Sequence, residues 1–265
     1  MWEAELAFAI HGAELAGDRV LGLRASGRWK EESQLADVAD QAADGFLQGL
    51  IRGRYPDDAI LSEETADSAE RLTARRVWIV DPLDGTREYS QQREDWAVHV
   101  ALWQDGELAL GVVALPAQGR CLWGVPGAEP RAGMSGTGML EKGGDAHSAR
   151  LRIAVSRSHT PSWMPAAAQL LDAELVPSGS VGNKVALLLL GAADVYAHRK
   201  GLNEWDTAAP EAVARALGWS FSRLDGSPQR YNQPNPRNDE LLVTRPAHKD
   251  RVLQALMLSG ALAQR

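Results

Sequence analysis

The chain has 265 residues, 45% of them hydrophobic and 24% charged, with a formal net charge of −7. This describes a soluble globular protein of one large domain or two modest ones, and argues against bulk affinity for nucleic acid or an anionic membrane. The single cysteine, Cys121, excludes internal disulfides and cysteine-based metal clusters, and reads as a small buried hydrophobe in a reducing compartment.

The acidic N-terminus does not read as a signal peptide, and no apolar run approaches the ~20 residues of a membrane span, so the expected location is cytoplasmic. Leu6, Ala9, Ile10, Ala13 and Val20 recur at helical spacing. A second helix is predicted by Leu35, Val38, Ala42, Phe46, Leu47 and Leu50, ending before Gly53 and Pro56. Between them, residues 22–33 are glycine-rich and charged and read as an exposed loop. Residues 77–80 form a short apolar strand that runs into a turn, Asp81-Pro-Leu-Asp-Gly85. Residues 96–103, 108–115 and 120–125 follow as strands of an antiparallel meander. Trp78, Trp96, Trp103 and Trp123 fall within these strands and read as core.

Residues 127–149 are poor in large apolar side chains and mark a boundary, giving halves at 1–140 and 141–265. Beyond it, strands at 152–156, 174–176 and 194–198 alternate with helices at 163–171, 182–190 and 206–217. That alternation predicts a three-layer α/β half, and residues 252–262 supply a terminal helix.

Four acidic positions stand at predicted element ends. Glu63 lies in Leu61-Ser-Glu-Glu64, Asp81 and Asp84 flank Pro82-Leu83, and Asp206 opens a helix after Trp205. Brought together, carboxylates repel by ~4 kcal/mol per pair at 4 Å and an effective dielectric of 20. Hard cations relieve that repulsion, and an all-oxygen set favours Mg²⁺ or Mn²⁺ over zinc. Gly85 and Thr86 then offer N–H groups and a hydroxyl to a phosphate. Taken singly, such Asp-Gly turns and Glu pairs are ordinary solvated surface, and an Asp before a helix is usually an N-cap.

The ordered set Leu-Ser-Glu-Glu, Asp-Pro-Leu-Asp-Gly-Thr and Glu-Trp-Asp-Thr-Ala-Ala resembles the inositol monophosphatase superfamily over residues 40–218. The resemblance implies an α/β (α+β) fold, a layered αβαβα sandwich of the sugar-phosphatase type with a cleft between its halves. It implies two or three Mg²⁺ ions, or Mn²⁺, held by Glu63, Asp81, Asp84, Asp206 and the Leu83 carbonyl. Asp40 and Thr86 would polarise an attacking water, with no phosphoenzyme and with inhibition by Li⁺. The family's Thr-x-x-Asp helix pattern is here Asp37-Val-Ala-Asp40.

Substrate choice draws on Ser156-Arg-Ser-His159, on Gly179-Ser180 before a helix carrying Lys184, and on Glu204-Trp-Asp206. These segments resemble the CysQ-type branch, which removes the 3′-phosphate of 3′-phosphoadenosine 5′-phosphate to leave AMP. The implied substrate contacts are Gly85, Thr86, His159, Ser180, Lys184, His198 and Asp206. The chain departs from that branch by one extra residue between Ser180 and Lys184, and by His198, beside Arg199, where many relatives have arginine. Arg87 and Arg93 read as solvated. Inositol-1-phosphate and fructose-1,6-bisphosphate remain alternative substrates, and the partner is a small phosphorylated molecule met by a monomer or homodimer. A haloacid-dehalogenase mechanism is excluded, because its Asp-x-Asp places one residue between the acids where this chain has two. A dinucleotide or P-loop motif is absent, and a catalytically dead homologue would lack one of the carboxylates.

Overall fold

A computed structural model describes residues 2–144 and 150–262. Helix α1 (Glu3–Ala25) buries Leu6, Ala9, Ala13, Ala16 and Val20 along one face, and α2 (Glu32–Arg54) buries Leu35, Ala39, Ala43, Leu47 and Ile51. The exposed link is shorter than the sequence suggested, because α1 continues through residues 22–25. Leu21 and Leu23 still reach apolar neighbours there, and Gly22 lies in open space.

The first sheet has six strands in sequential order: β1 (Ala59–Ser62), β2 (Arg76–Asp84), β3 (Ala97–Gln104), β4 (Glu107–Leu115), β5 (Arg120–Val125) and β6 (Arg131–Ser135). β1 pairs parallel with β2, and the remainder is the expected antiparallel meander. Strand β6 lies inside the segment read as a boundary. Its glycine content has a packing reason: a Cβ on Gly133 would stand 2.3 Å from the Trp123 ring. Trp78 and Trp96 are fully buried, Trp103 and Trp123 half-buried, and Cys121 buried.

The second sheet follows the order β10-β11-β9-β7-β8. β7 (Arg152–Ser156), β8 (Glu174–Ser178) and β9 (Val195–Arg199) run parallel, connected through α4 (Met164–Leu171) and α5 (Val181–Leu189). After α6 (Glu204–Ala216), β10 (Ser220–Ser222) and β11 (Glu240–Thr244) add antiparallel strands that periodicity did not reveal. Helix α7 (Lys249–Leu258) closes the chain.

Three apolar cores define the layers. One joins α1 and α2 to the first sheet, and one joins α4 and α7 to the outer face of the second. The largest joins both sheets through α5 and α6. The architecture is αβαβα, and the expected three-layer half shares its inner helix layer with the first sheet. Helix α6 sits close on that sheet because β4 and β5 present glycines: a Cβ on Gly111 would lie 2.6 Å from the Ala209 carbonyl oxygen. Among the described residues, no helix is long and apolar enough to cross a membrane.

One buried acid in α6 gives a test of the fold itself. Glu211 accepts from the Tyr231 hydroxyl at 2.6 Å and from Arg215 at 3.4 Å. Burial nevertheless pushes its carboxyl from 4.5 up to about 7. Between those values the folded state binds the extra proton, so stability should fall as pH rises through the window, by about 1.4 kcal/mol per unit at most. Glu211→Gln should flatten that slope when Tm is followed from about pH 5 to about pH 8. An unchanged slope would remove Glu211 from the account.

Candidate active site

Parallel pairing of β1 with β2 sets Ser62 opposite Val80, so Glu63, just past the end of β1, follows beside Asp81 in β2. The segment 81–84, expected as a turn, remains part of β2. Asp81 pairs with His99 and Asp84 with Ala97, with a register shift between them. Pro82 has no N–H for the ladder, and the resulting bulge re-aims the following side chains. Asp81 Oδ1 accepts the Leu83 N–H at 3.2 Å. Gly85 then turns the chain with φ 93°, and a Cβ there would meet Ser180 Cβ at 2.8 Å. Thr86 begins α3 (Thr86–Ser90).

Asp84 reaches the N-terminus of α5, where its carboxylate accepts the Val181 N–H at 3.1 Å and the Gly182 N–H at 2.6 Å. Asp206 is the third residue of α6 rather than its first, and accepts the Asn203 N–H at 2.6 Å. One oxygen from each of Asp81, Asp84 and Asp206 lies within 4.8 Å of the others.

The cluster is electrostatically costly as it stands. Burial, then Glu63, Asp84 and Asp206, push Asp81 well above the carboxylate range, and burial with Asp84 does the same to Asp206. Glu63 rises to about 7 through burial and the neighbouring Asp84 and Glu64. Burial opposes ionisation of Asp84 too, but His99, the Gly182 N–H and Lys184 outweigh it and hold that carboxyl below its ordinary value. His99 was missed by sequence reasoning. It is fully buried on β3, with Nε2 3.2 Å from Asp84 and Nδ1 3.2 Å from the Trp205 carbonyl oxygen. A polar residue inside an apolar strand was the available signal, and the register opposite Asp81 shows its place. Gly182 is required beside it, since a Cβ would lie 2.1 Å from His99 Nε2.

Asp40 stands on α2 and is buried. Burial and the charges of Glu64 and Glu63 push its carboxyl to about 8, although the Thr86 hydroxyl, 3.3 Å from Oδ2, works the other way. That hydroxyl also lies 3.1 Å from the Leu83 carbonyl oxygen. Asp40 Oδ1 is buried without a hydrogen-bond partner. An all-oxygen donor set, carboxyls held above their ordinary values and an orphaned buried oxygen together fit a hard divalent cation.

The expected substrate residues divide. His159 and His198 line one pocket of about 520 Å³ with Trp163, Lys200 and Leu202, at the C-terminal ends of β7 and β9. His198 does not suit a phosphate. Burial and Lys184 push its imidazole down to about 4, and Nε2 is 2.9 Å from the Lys200 carbonyl oxygen. The neutral ring donates there and keeps Nδ1 as an acceptor for a hydroxyl or amino group. Ser180 spends its hydroxyl capping α5, accepting the Asn183 N–H at 3.1 Å. Lys184 is 3% exposed, with its ammonium on the Gly179 carbonyl and 5.1 Å from the Tyr196 ring centre. Burial brings it down to about 8. Lys200, which sequence reasoning passed over, lines the pocket on exposed backbone with φ 75°. Arg87 is exposed, and Arg93 pairs with Asp95 at 3.1 Å.

A layered αβαβα sandwich with this carboxylate cluster at the strand ends defines a phosphomonoesterase class. Residues 5–259 match the model of the inositol monophosphatase family, and the chain belongs to that family. It is 40% identical over 257 residues to a 3′-phosphoadenosine 5′-phosphate phosphatase of Mycobacterium leprae, covering 92% of this chain and 91% of that one. It is 31% identical over 203 residues to the 3′(2′),5′-bisphosphate nucleotidase CysQ of Escherichia coli, covering 76% and 81%. Among solved structures, CysQ from Bacteroides thetaiotaomicron superposes with a TM-score of 0.78 at 28% identity, over 92% of this chain and 98% of that one. Inositol monophosphatase II of Staphylococcus aureus gives 0.82 at 22% identity, over 99% of both chains, which shows the shared fold.

Proposed function

We propose that the protein hydrolyses the 3′-phosphate of 3′-phosphoadenosine 5′-phosphate, releasing AMP and phosphate, with Mg²⁺ held by Glu63, Asp81, Asp84, Asp206 and the Leu83 carbonyl. The observation that carries the reading is the convergence of Asp81, Asp84 and Asp206 within 4.8 Å. The names of the mycobacterial and enterobacterial relatives support the substrate. Bound Mg²⁺ supplies Lewis-acid activation of water and neutralises charge on the phosphate.

The protein's own groups do the remainder. Asp40 takes the proton of the attacking water on its unpartnered Oδ1, and Thr86 orients the acid. The Gly85 and Thr86 N–H groups meet the phosphate, on a turn that packs against Ser180 and Trp96 because residue 85 lacks a Cβ. The nucleoside occupies the pocket over Trp163. His198 Nδ1 accepts from a ribose hydroxyl or the base amino group, while His159 and Lys200 meet the second phosphate. Lys184 acts from behind by fixing the Gly179 turn.

A panel of the nucleotide, inositol-1-phosphate and fructose-1,6-bisphosphate with Mg²⁺ tests the assignment. The nucleotide should give the highest kcat/KM. Lys200→Ala should lower nucleotide kcat/KM by about tenfold or more, the worth of one charge-assisted bond, and spare the inositol ester, which has no second phosphate. Preference for inositol-1-phosphate in the unmodified protein would sink the nucleotide reading and leave the phosphatase class standing.

A further inference from the structure

Two of the candidate metal carboxylates come from distant segments, and a buried bridge that takes no part in the chemistry joins them. The segment that starts at Glu63 ends in a single helical turn, Ala69–Thr73, whose Arg71 is 1% exposed. Its guanidinium donates to Asp67 from Nε at 2.6 Å and from Nη2 at 2.8 Å. It also donates to Asn232 Oδ1 and to the Gln233 carbonyl, each at 2.8 Å. Asn232 returns a bond from Nδ2 to the Arg71 carbonyl at 3.0 Å. The backbone N–H groups of Asn232 and Gln233 then donate to the two oxygens of Glu204, at 2.6 and 2.8 Å. Glu204 is the first residue of α6, two before Asp206.

Glu63 is also anchored independently, by residues on both its flanks. The Ser62 and Thr65 hydroxyls both donate to Asp44 on α2, and Gln48 donates to the same carboxylate at 2.7 Å. The Glu63 segment is therefore fixed to α2 through Ser62 and Thr65 and, further along the chain through Arg71, to the start of α6. Stability alone does not explain the bridge, because a buried charge network can be replaced by apolar packing with little loss. What a network of directional bonds adds is a defined separation between the elements it joins. Asn232 holds a left-handed backbone, φ 57°, to make its contacts on both sides.

We infer that Arg71, Asn232 and Glu204 are positioning residues that set Glu63 against Asp206 and so preassemble the cation site. The inference rests on the metal-dependent reading given above. Partners outside the ligand set commonly govern metal affinity by about ten- to a hundredfold.

Mn²⁺ is the probe, with free ion counted by electron paramagnetic resonance during titration of the full chain. Asn232→Gly keeps the left-handed backbone and the N–H to Glu204 but deletes both side-chain bonds to Arg71. It should raise the Mn²⁺ dissociation constant about tenfold, and Arg71→Lys should do at least as much. Arg245→Lys is the control, because Arg245 is equally buried and bonds Glu141 at 2.9 Å, remote from the bridge. It should lower Tm without moving Mn²⁺ affinity. Unchanged Mn²⁺ affinity in Asn232→Gly overturns the inference, even if Arg71→Lys fails to fold. So does an equal loss of affinity in Arg245→Lys, which would make the effect one of general destabilisation. If the unmodified chain binds no Mn²⁺, the metal reading itself falls and takes the inference with it.

Discussion

Asp84→Asn should cost about a hundred- to a thousandfold in kcat, with the fold retained. The carboxylate does two jobs, and the amide can do neither fully. Its oxygens accept N–H groups of Val181 and Gly182 at the start of α5, while His99 stands 3.2 Å away. An asparagine turns an NH₂ toward one of these donors and removes a negative charge from the centre of the cluster. EDTA should abolish activity in the unmodified protein and added Mg²⁺ restore it. Because the cation relieves the repulsion that raises Asp81, Glu63 and Asp206, saturating Mg²⁺ should also raise Tm, and by less in Asp84→Asn. Full hydrolysis by chelator-treated enzyme would overturn the mechanism.

Gly111→Val should damage the site from the far side of a helix. The added Cβ would meet the Ala209 carbonyl oxygen at 2.6 Å and Ala212 Cβ at 2.7 Å, so α6 must move off β4. Overpacking of this kind costs about 1–3 kcal/mol. For a domain this large, that lowers Tm by roughly 2–4 °C per kcal/mol. Activity should fall by more than stability, because α6 carries Asp206 and a displacement near 1 Å spoils a catalytic geometry by about a hundredfold. Measuring kcat well below Tm separates the effects, and full activity in a destabilised variant would show that the helix position is not what sets the rate.

The helices and central strands were legible because they keep their periods, whereas the αβαβα layering came from the family resemblance that the ordered acid motifs carry; of those acids the structure brings Asp81, Asp84 and Asp206 together. What escaped had weak local signals. Strand β6 escaped because Gly133 gives up its side chain to a neighbour's indole, and β1 is only four residues long. His99 looked like one polar residue in an apolar run, and only the register opposite Asp81 reveals its place. Lys184 was read as a substrate contact through the family resemblance, which does not say which face of α5 a neighbouring sheet will cover. Lys200 went unnoticed because a lysine before a glycine is common surface chemistry.

Helix α6 is covered on all sides: Thr207, Ala208, Ala209, Glu211, Ala212 and Val213 are each at most 3% exposed, between two sheets. Its alanines follow from that confinement, since little else fits between two such surfaces. Amide protons in the middle of α6 should therefore be among the last to exchange with solvent, surviving fraying at the termini. Asp206 is thus carried on the segment that lets go only when the whole molecule does. Heating should not produce a folded but idle enzyme, and the loss of turnover and the loss of structure should fall at one temperature.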